Sequence, residues 1–356
     1  MKNALLLLFL FFYITPSLYA SNKQFYPAND SKIQYVGRVD FSNPLKPRMW
    51  ASGSYVIAKF TGSSLTLNIN DEVIYGSVHN YIEVKIDDKP SYRLQLKTKE
   101  NKIEIAKDLK EGEHTVVICK NTEFENGYIE IVGFTCEQLL TPPALKSRKI
   151  EFIGDSITCG FGSDESQIKC GDKKTQWYDQ HNAYSAYGPI TARSLDAQYH
   201  LSSVSGIGLM RSCCDKKTIM PQVFDKINMA KNEIQWDFNR YQPDVVTVCL
   251  GQNDGVQDST LFCDAYVKFA KTLRSYYPKA KLVFLTSPMA DETLKTALVN
   301  YLAAVKAELN KQGEDNIGTY IFSKQSKNGC GSHPSLAEQQ QIATELTAYL
   351  KKTMNW

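Results

Sequence analysis

A serine at the tip of a strand, set in a turn of small residues, lets a hydrolase expose a nucleophilic hydroxyl. One such turn stands in this chain as Ile153-Gly154-Asp155-Ser156-Ile157-Thr158, behind the apolar run 149–153 and ahead of Cys159-Gly160-Phe161-Gly162. A neutral serine is a poor nucleophile, so acyl transfer at Ser156 needs a base and donors for the developing oxyanion. The histidines are His79, His114, His181, His200 and His333. His79 and His114 belong to the N-terminal part, and His200 lies inside a strand-like run and reads as structural. His333, in the loop Gly331-Ser332-His333-Pro334 just before the last helical stretch, is the best base. The natural donors are the backbone N–H groups of Ser156 and Gly206 and the side-chain amide of Asn253. Taken singly, Gly206 and Asn253-Asp254-Gly255 read as plain turns; what joins them is their order and place.

That place is set by the flanking elements. From Ser54 to Cys136 short runs alternate apolar and polar residues, at 55–60, 64–69, 81–86, 92–96, 114–120 and 128–134, separated by turn residues such as Thr61-Gly62-Ser63 and Asp87-Asp88. This pattern predicts an antiparallel β-sandwich over 21–140. Thr141-Pro142-Pro143 breaks any regular element, so 141–147 reads as a linker and 148–356 as a second domain. There, strand-like runs at 149–153, 199–203, 244–250, 281–285 and 318–321 alternate with helical stretches at 183–195, 261–276, 292–309 and 336–350. In the third helix Leu294, Ala297, Leu298, Tyr301, Leu302, Val305 and Leu309 fall on one face. Alternation of this kind predicts a parallel sheet flanked by helices, with ligands beyond the carboxyl ends of the strands. Ser156, Ser205-Gly206 and Gly251-Gln252-Asn253-Asp254 all follow such ends.

Composition narrows the partners. A formal charge of +3 over 356 residues, with no long basic run, argues against nucleic acid. Residues 1–20 have the features of a signal peptide: Lys2, an apolar run from Leu5 to Ile14, and Ala20 before polar Ser21-Asn22-Lys23. The mature chain is therefore expected to be exported after cleavage near Ala20, with no membrane span. Nine cysteines in an exported chain permit disulfides, and an odd number leaves at least one without an internal partner. Cys249 reads as a core residue, whereas Cys170, Cys213, Cys214, Cys263 and Cys330 are the bridge candidates. No C-x-x-C or H-E-x-x-H pattern occurs, so neither a metal nor another cofactor is expected. Trp177, Tyr178 and Trp236, with Tyr184, are the candidate aromatics for stacking on sugar rings. Trp177 lies in a polar stretch, 164–180, and Asp155 and Asp254 read as loop braces.

Taken together, Gly154-Asp155-Ser156, Ser205-Gly206, Gly251-Gln252-Asn253-Asp254 and Ser332-His333-Pro334 resemble the four blocks of the SGNH (GDSL-type) hydrolases. More narrowly, the run Gly154 to Gly160, Trp236-Asp237-Phe238 ahead of Gln242-Pro243-Asp244-Val245-Val246, residues 187–199 leading into Ser205-Gly206-Ile207-Gly208, and the sandwich in front resemble carbohydrate esterase family 2. The resemblance implies an N-terminal jelly roll, an SGNH catalytic domain and removal of acetyl groups from plant polysaccharides or their sugars. Ser156 would be the nucleophile, His333 the base, and Gly206 and Asn253 would complete the oxyanion hole. One departure stands out. The SGNH pattern places an Asp three residues before the histidine, and here that residue is Cys330. The resemblance therefore implies a Ser–His dyad with a backbone carbonyl orienting the ring; Asp315 or Asp291 reaching in from another loop is the weaker alternative. A general SGNH lipase or thioesterase, and an inactive glycan-binding protein, are the competing readings.

Overall fold

A computed structural model describes residues 23–173 and 175–356. The expected signal peptide falls outside the described residues. Among those residues, no helix is long and apolar enough to cross a membrane. The N-terminal half is a sandwich of two 6-stranded antiparallel sheets. Strand Leu65–Asp71 shows why: Leu65, Leu67 and Ile69 point inward while Thr66, Asn68 and Asn70 stay half-exposed, the two-residue period of a sheet with one wet face. Val56, Ala58 and Phe60 of strand Tyr55–Thr61 and Val116 and Ile118 of strand Glu113–Lys120 close the same core. Ahead of the alternating runs, Gln24–Pro27, Ile33–Val36, Val39–Asp40 and Arg48–Met49 are also strands of the sandwich. Glu100–Ala106 adds a further strand on one sheet edge.

The second half is a 5-stranded parallel sheet in the order Ala197–Ser203, Arg148–Gly154, Val245–Cys249, Lys281–Leu285, Ile317–Tyr320. Every residue of Val245–Cys249 is buried, because helices cover both faces. Tyr187–Ser194 and Leu336–Met354 pack on one face, Ser259–Tyr276 and Glu292–Lys311 on the other. The strand order reverses direction at Arg148–Gly154, so the crevice opens beyond that strand and Val245–Cys249. Ser156 follows the first of these strands and Asn253 the second.

The two halves share buried contacts. Arg38 of the sandwich donates to Glu151 of the central strand at 2.8 Å, with both side chains fully buried. Ser202 and Tyr277 donate to the same carboxylate. The Gly37 N–H donates to His200 Nε2 at 3.1 Å, and the His200 ring stacks on Tyr241, so His200 is structural. Breaking a buried ion pair on one side leaves an uncompensated charge and costs about 3–5 kcal/mol. Arg38→Ala is therefore expected to lower thermal stability severely, which a melting curve beside the wild type checks.

Candidate active site

The Ser156 turn is built by its neighbours. Asp155 caps the single helical turn Ser156–Cys159 by accepting from the Ile157 N–H at 3.0 Å, and Gly160 ends that turn in the left-handed region at φ 77°. This leaves Ser156 at the lip of the crevice, 7% exposed. His333 arrives from the opposite side in a loop that is pinned at several points. The Cys330 N–H donates to the Gly162 carbonyl at 2.7 Å, the Gly329 N–H to the His333 carbonyl at 2.7 Å, and the Leu336 N–H to the Ser163 carbonyl at 3.0 Å. Gly162 must be glycine for this approach: it sits at φ +62°, and a Cβ there would lie 2.4 Å from the Cys330 carbonyl oxygen.

The structure brings these two side chains together. His333 Nε2 lies 2.8 Å from Ser156 Oγ, and His333 Nδ1 lies 2.9 Å from the Gly331 carbonyl oxygen. A carbonyl only accepts, so Nδ1 carries the proton and Nε2 is free to accept from the serine hydroxyl. Among the described residues, no carboxylate hydrogen-bonds to the ring. Asp291 caps the helix Glu292–Lys311 by accepting from the Leu294 N–H, and Asp315 is exposed. Burial pushes the His333 pKa below its ordinary value, against the pull of the Gly331 carbonyl. Cys330 is bonded to Cys170, tying the His333 loop to the polar stretch that bears Trp177.

Around the serine, the Ser156 and Gly206 N–H groups have no acceptor among the described residues. The Asn253 amide is committed: Nδ2 donates to the Ile207 carbonyl at 2.8 Å and to Asp155 Oδ2 at 3.2 Å. Asp254, fully buried, accepts from the Leu209, Met210 and Arg211 N–H groups at 2.7–3.0 Å and so shapes the loop after Gly206. Of the candidate aromatics, Trp177 is 46% exposed and stacks beside Phe161, whose ring centroid lies 4.4 Å from that of His333. Tyr178 and Trp236 are corrected: at 1% and 3% exposure neither can receive a sugar. Tyr178 is buried with its hydroxyl near the Ser77 carbonyl and the His79 N–H, and Trp236 packs against His200 and Arg240. Tyr184 is buried under Arg193. Cys263 is also corrected, being unbridged, while Cys213 bonds to Cys214 beside Gly206.

Sequence reasoning missed Glu123 and gave His181 no role. Glu123 comes from the sandwich and is buried at the edge of the crevice, where it accepts from the Ser205 N–H at 3.0 Å and the Ser205 hydroxyl at 2.7 Å. His181 Nε2 lies 3.3 Å from Glu123 Oε1, the oxygen that also accepts from the Ser205 hydroxyl. Burial opposes ionisation of Glu123, but His181 and Ser205 outweigh it and hold the carboxyl well below its ordinary range.

The chain is similar to known proteins over both halves. The family model Carbohydrate esterase 2 N-terminal matches residues 35–143, and GDSL-like Lipase/Acylhydrolase family matches 152–316. A family two carbohydrate esterase from Clostridium thermocellum, solved in complex with cellohexaose, superposes with a TM-score of 0.83 at 30% identity, covering 91% of this chain and 99% of that one. This chain belongs to carbohydrate esterase family 2. Its second domain is a serine-hydrolase domain of the GDSL type. A family two esterase from Cellvibrio japonicus gives a TM-score of 0.84 at 27% identity, covering 94% of this chain and 98% of that one. Among curated relatives, an acetylxylan esterase / glucomannan deacetylase of Cellvibrio japonicus is 29% identical, covering 92% of this chain and 91% of its own length. The cellulase/esterase CelE of Acetivibrio thermocellus is 32% identical over 91% of this chain, which spans only 40% of CelE.

Proposed function

We propose that this family two esterase is exported and removes O-acetyl groups from hemicellulose-type glycans through a Ser156–His333 dyad. The observation that carries the reading is the pair of bonds on His333: Nε2 to Ser156 Oγ at 2.8 Å, and Nδ1 to the Gly331 carbonyl at 2.9 Å. Ser156 Oγ attacks the acetyl carbonyl carbon while its proton passes to His333 Nε2. The oxyanion accepts from the Ser156 and Gly206 N–H groups and from the Asn253 amide, which exchanges its longer bond to Asp155 for one to the intermediate. Nε2–H then protonates the departing sugar oxygen, leaving acetyl-Ser156. Water, deprotonated by His333, releases acetate and restores the serine. Exposed Trp177 offers a ring face to the glycan. Export is supported by the apolar segment near the start of the chain and by two disulfides, which persist in oxidising compartments.

Chromogenic acetyl and octanoyl esters compared side by side test the acyl specificity, with acetylated xylan and glucomannan testing the glycan. The expected result is hydrolysis of the acetyl ester well above the octanoyl one, and acetate release from both polymers. Preference for octanoyl would instead make the protein a lipase or thioesterase, and hydrolysis of neither ester would make it a glycan binder.

A further inference from the structure

We infer that Glu123, a residue of the β-sandwich, is a positioning residue for the Gly206 N–H, so that the N-terminal domain completes the esterase site. The inference rests on the acetyl esterase reading above. Gly206 itself is poorly restrained by side chains, having none of its own, and its N–H direction is set by whatever holds Ser205 and the following loop. On the far side, Asp254 of the catalytic domain grips Leu209, Met210 and Arg211. On the near side, both donors of Ser205, its N–H and its hydroxyl, end on the two oxygens of Glu123. One carboxylate thus fixes the peptide unit directly before the Gly206 N–H. Charge-assisted bonds of this kind are about twice as strong as neutral ones.

Glu123 is in turn held rigidly. Lys120, wholly buried at the end of strand Glu113–Lys120, donates to the Thr122 and Glu123 carbonyls at 2.8 and 3.0 Å. Asn121 receives the Ala183 N–H on its carbonyl and the Tyr184 N–H on its side chain, stitching the same segment to the catalytic domain. His181, 3.3 Å from Glu123, packs on Phe161 with ring centroids 4.2 Å apart, and Phe161 packs on His333. The carboxylate therefore lies between the two halves of the site, bonded to the oxyanion side and linked through two rings to the base.

The test uses the full chain with Glu123→Gln, which keeps the size of the side chain but turns one acceptor into a donor facing Ser205, and the milder Ser205→Ala. Turnover of an acetyl ester is measured as separate kcat and KM values beside a melting curve. Misplacing a catalytic donor by about 1 Å costs up to about 10²-fold. Glu123→Gln is expected to lose about 10- to 100-fold in kcat with KM within about twofold, and Ser205→Ala to lose several-fold in kcat with an unchanged melting point. A folded Glu123→Gln with wild-type kcat overturns the inference, as does a rise in KM with kcat retained. If Glu123→Gln does not fold, Ser205→Ala decides on the same split. A wild-type protein inactive on every acetyl ester would instead sink the esterase reading itself.

Discussion

Ser156→Ala and His333→Ala are each expected to lower kcat on acetyl esters by about 10⁴- to 10⁶-fold, while Asp315→Ala stays within about twofold of wild type. The two large losses should be nearly equal and should not add in the double variant, because in the proposed dyad nucleophile and base act as one unit. The small effect at Asp315 follows from its exposure, away from a ring whose Nδ1 already ends on the Gly331 carbonyl. The same geometry sets the pH profile. His333 must be neutral at Nε2 to take the serine proton, so kcat/KM falls as pH drops through its pKa. Burial lowers that pKa, and the carbonyl behind the ring carries no full charge to bring it back up. The acid limb is expected below the ordinary histidine value of about 6.5. An inflection clearly above that value would mean that a carboxylate supports the ring in solution.

The second large effect is expected at Asn253. Removing one oxyanion donor typically costs about 10²–10³ in kcat, or about 2.7–4 kcal/mol. Asn253→Ala is expected to show a loss of that size with little change in KM, since the charge it meets exists only in the transition state. Its resting bonds refine this. The 2.8 Å bond to the Ile207 carbonyl holds the amide in place, whereas the 3.2 Å bond to Asp155 is the one that can be exchanged. Burial raises the Asp155 pKa to about 7, so the carboxyl loses its charge and its grip on the amide weakens as pH falls through neutrality. Steady-state kinetics of Asn253→Ala on a small acetyl ester provide the check. Raised KM with unchanged kcat would assign Asn253 to ground-state binding instead.

Much of the fold was legible because burial leaves periodic traces. The alternation in Leu65–Asp71 and the one-faced helix Glu292–Lys311 follow from which side meets a core. The strands missed include ones too short to show a period: Gln24–Pro27 and Ile33–Val36 have four residues each and Val39–Asp40 and Arg48–Met49 two each, while Glu100–Ala106 has its apolar burial confined to one end. For the site, the blocks around Ser156, Gly206, Asn253 and His333 could be read because each follows the end of a strand or precedes a helix. Glu123 could not. Its sequence neighbours describe a turn of the sandwich, and its chemistry exists only where that turn meets Ser205 across the domain boundary. Tyr178 and Trp236 failed for a related reason: ring type says nothing about which face the fold covers. Cys330 was readable as a bridge candidate and as the residue standing where an acid was expected, but not as the partner of Cys170.

That bridge has a consequence for the order in which the molecule is made. Cys170 and Cys330 are 160 residues apart, and the bond between them joins the polar stretch that carries Trp177 to the loop that delivers His333. During synthesis the serine turn and the exposed tryptophan emerge long before His333 does. With a Ser156–His333 dyad, as proposed, the nascent chain stays catalytically silent until His333 has been made. Closure of the bridge then waits on an oxidant, which the compartment rather than the ribosome supplies.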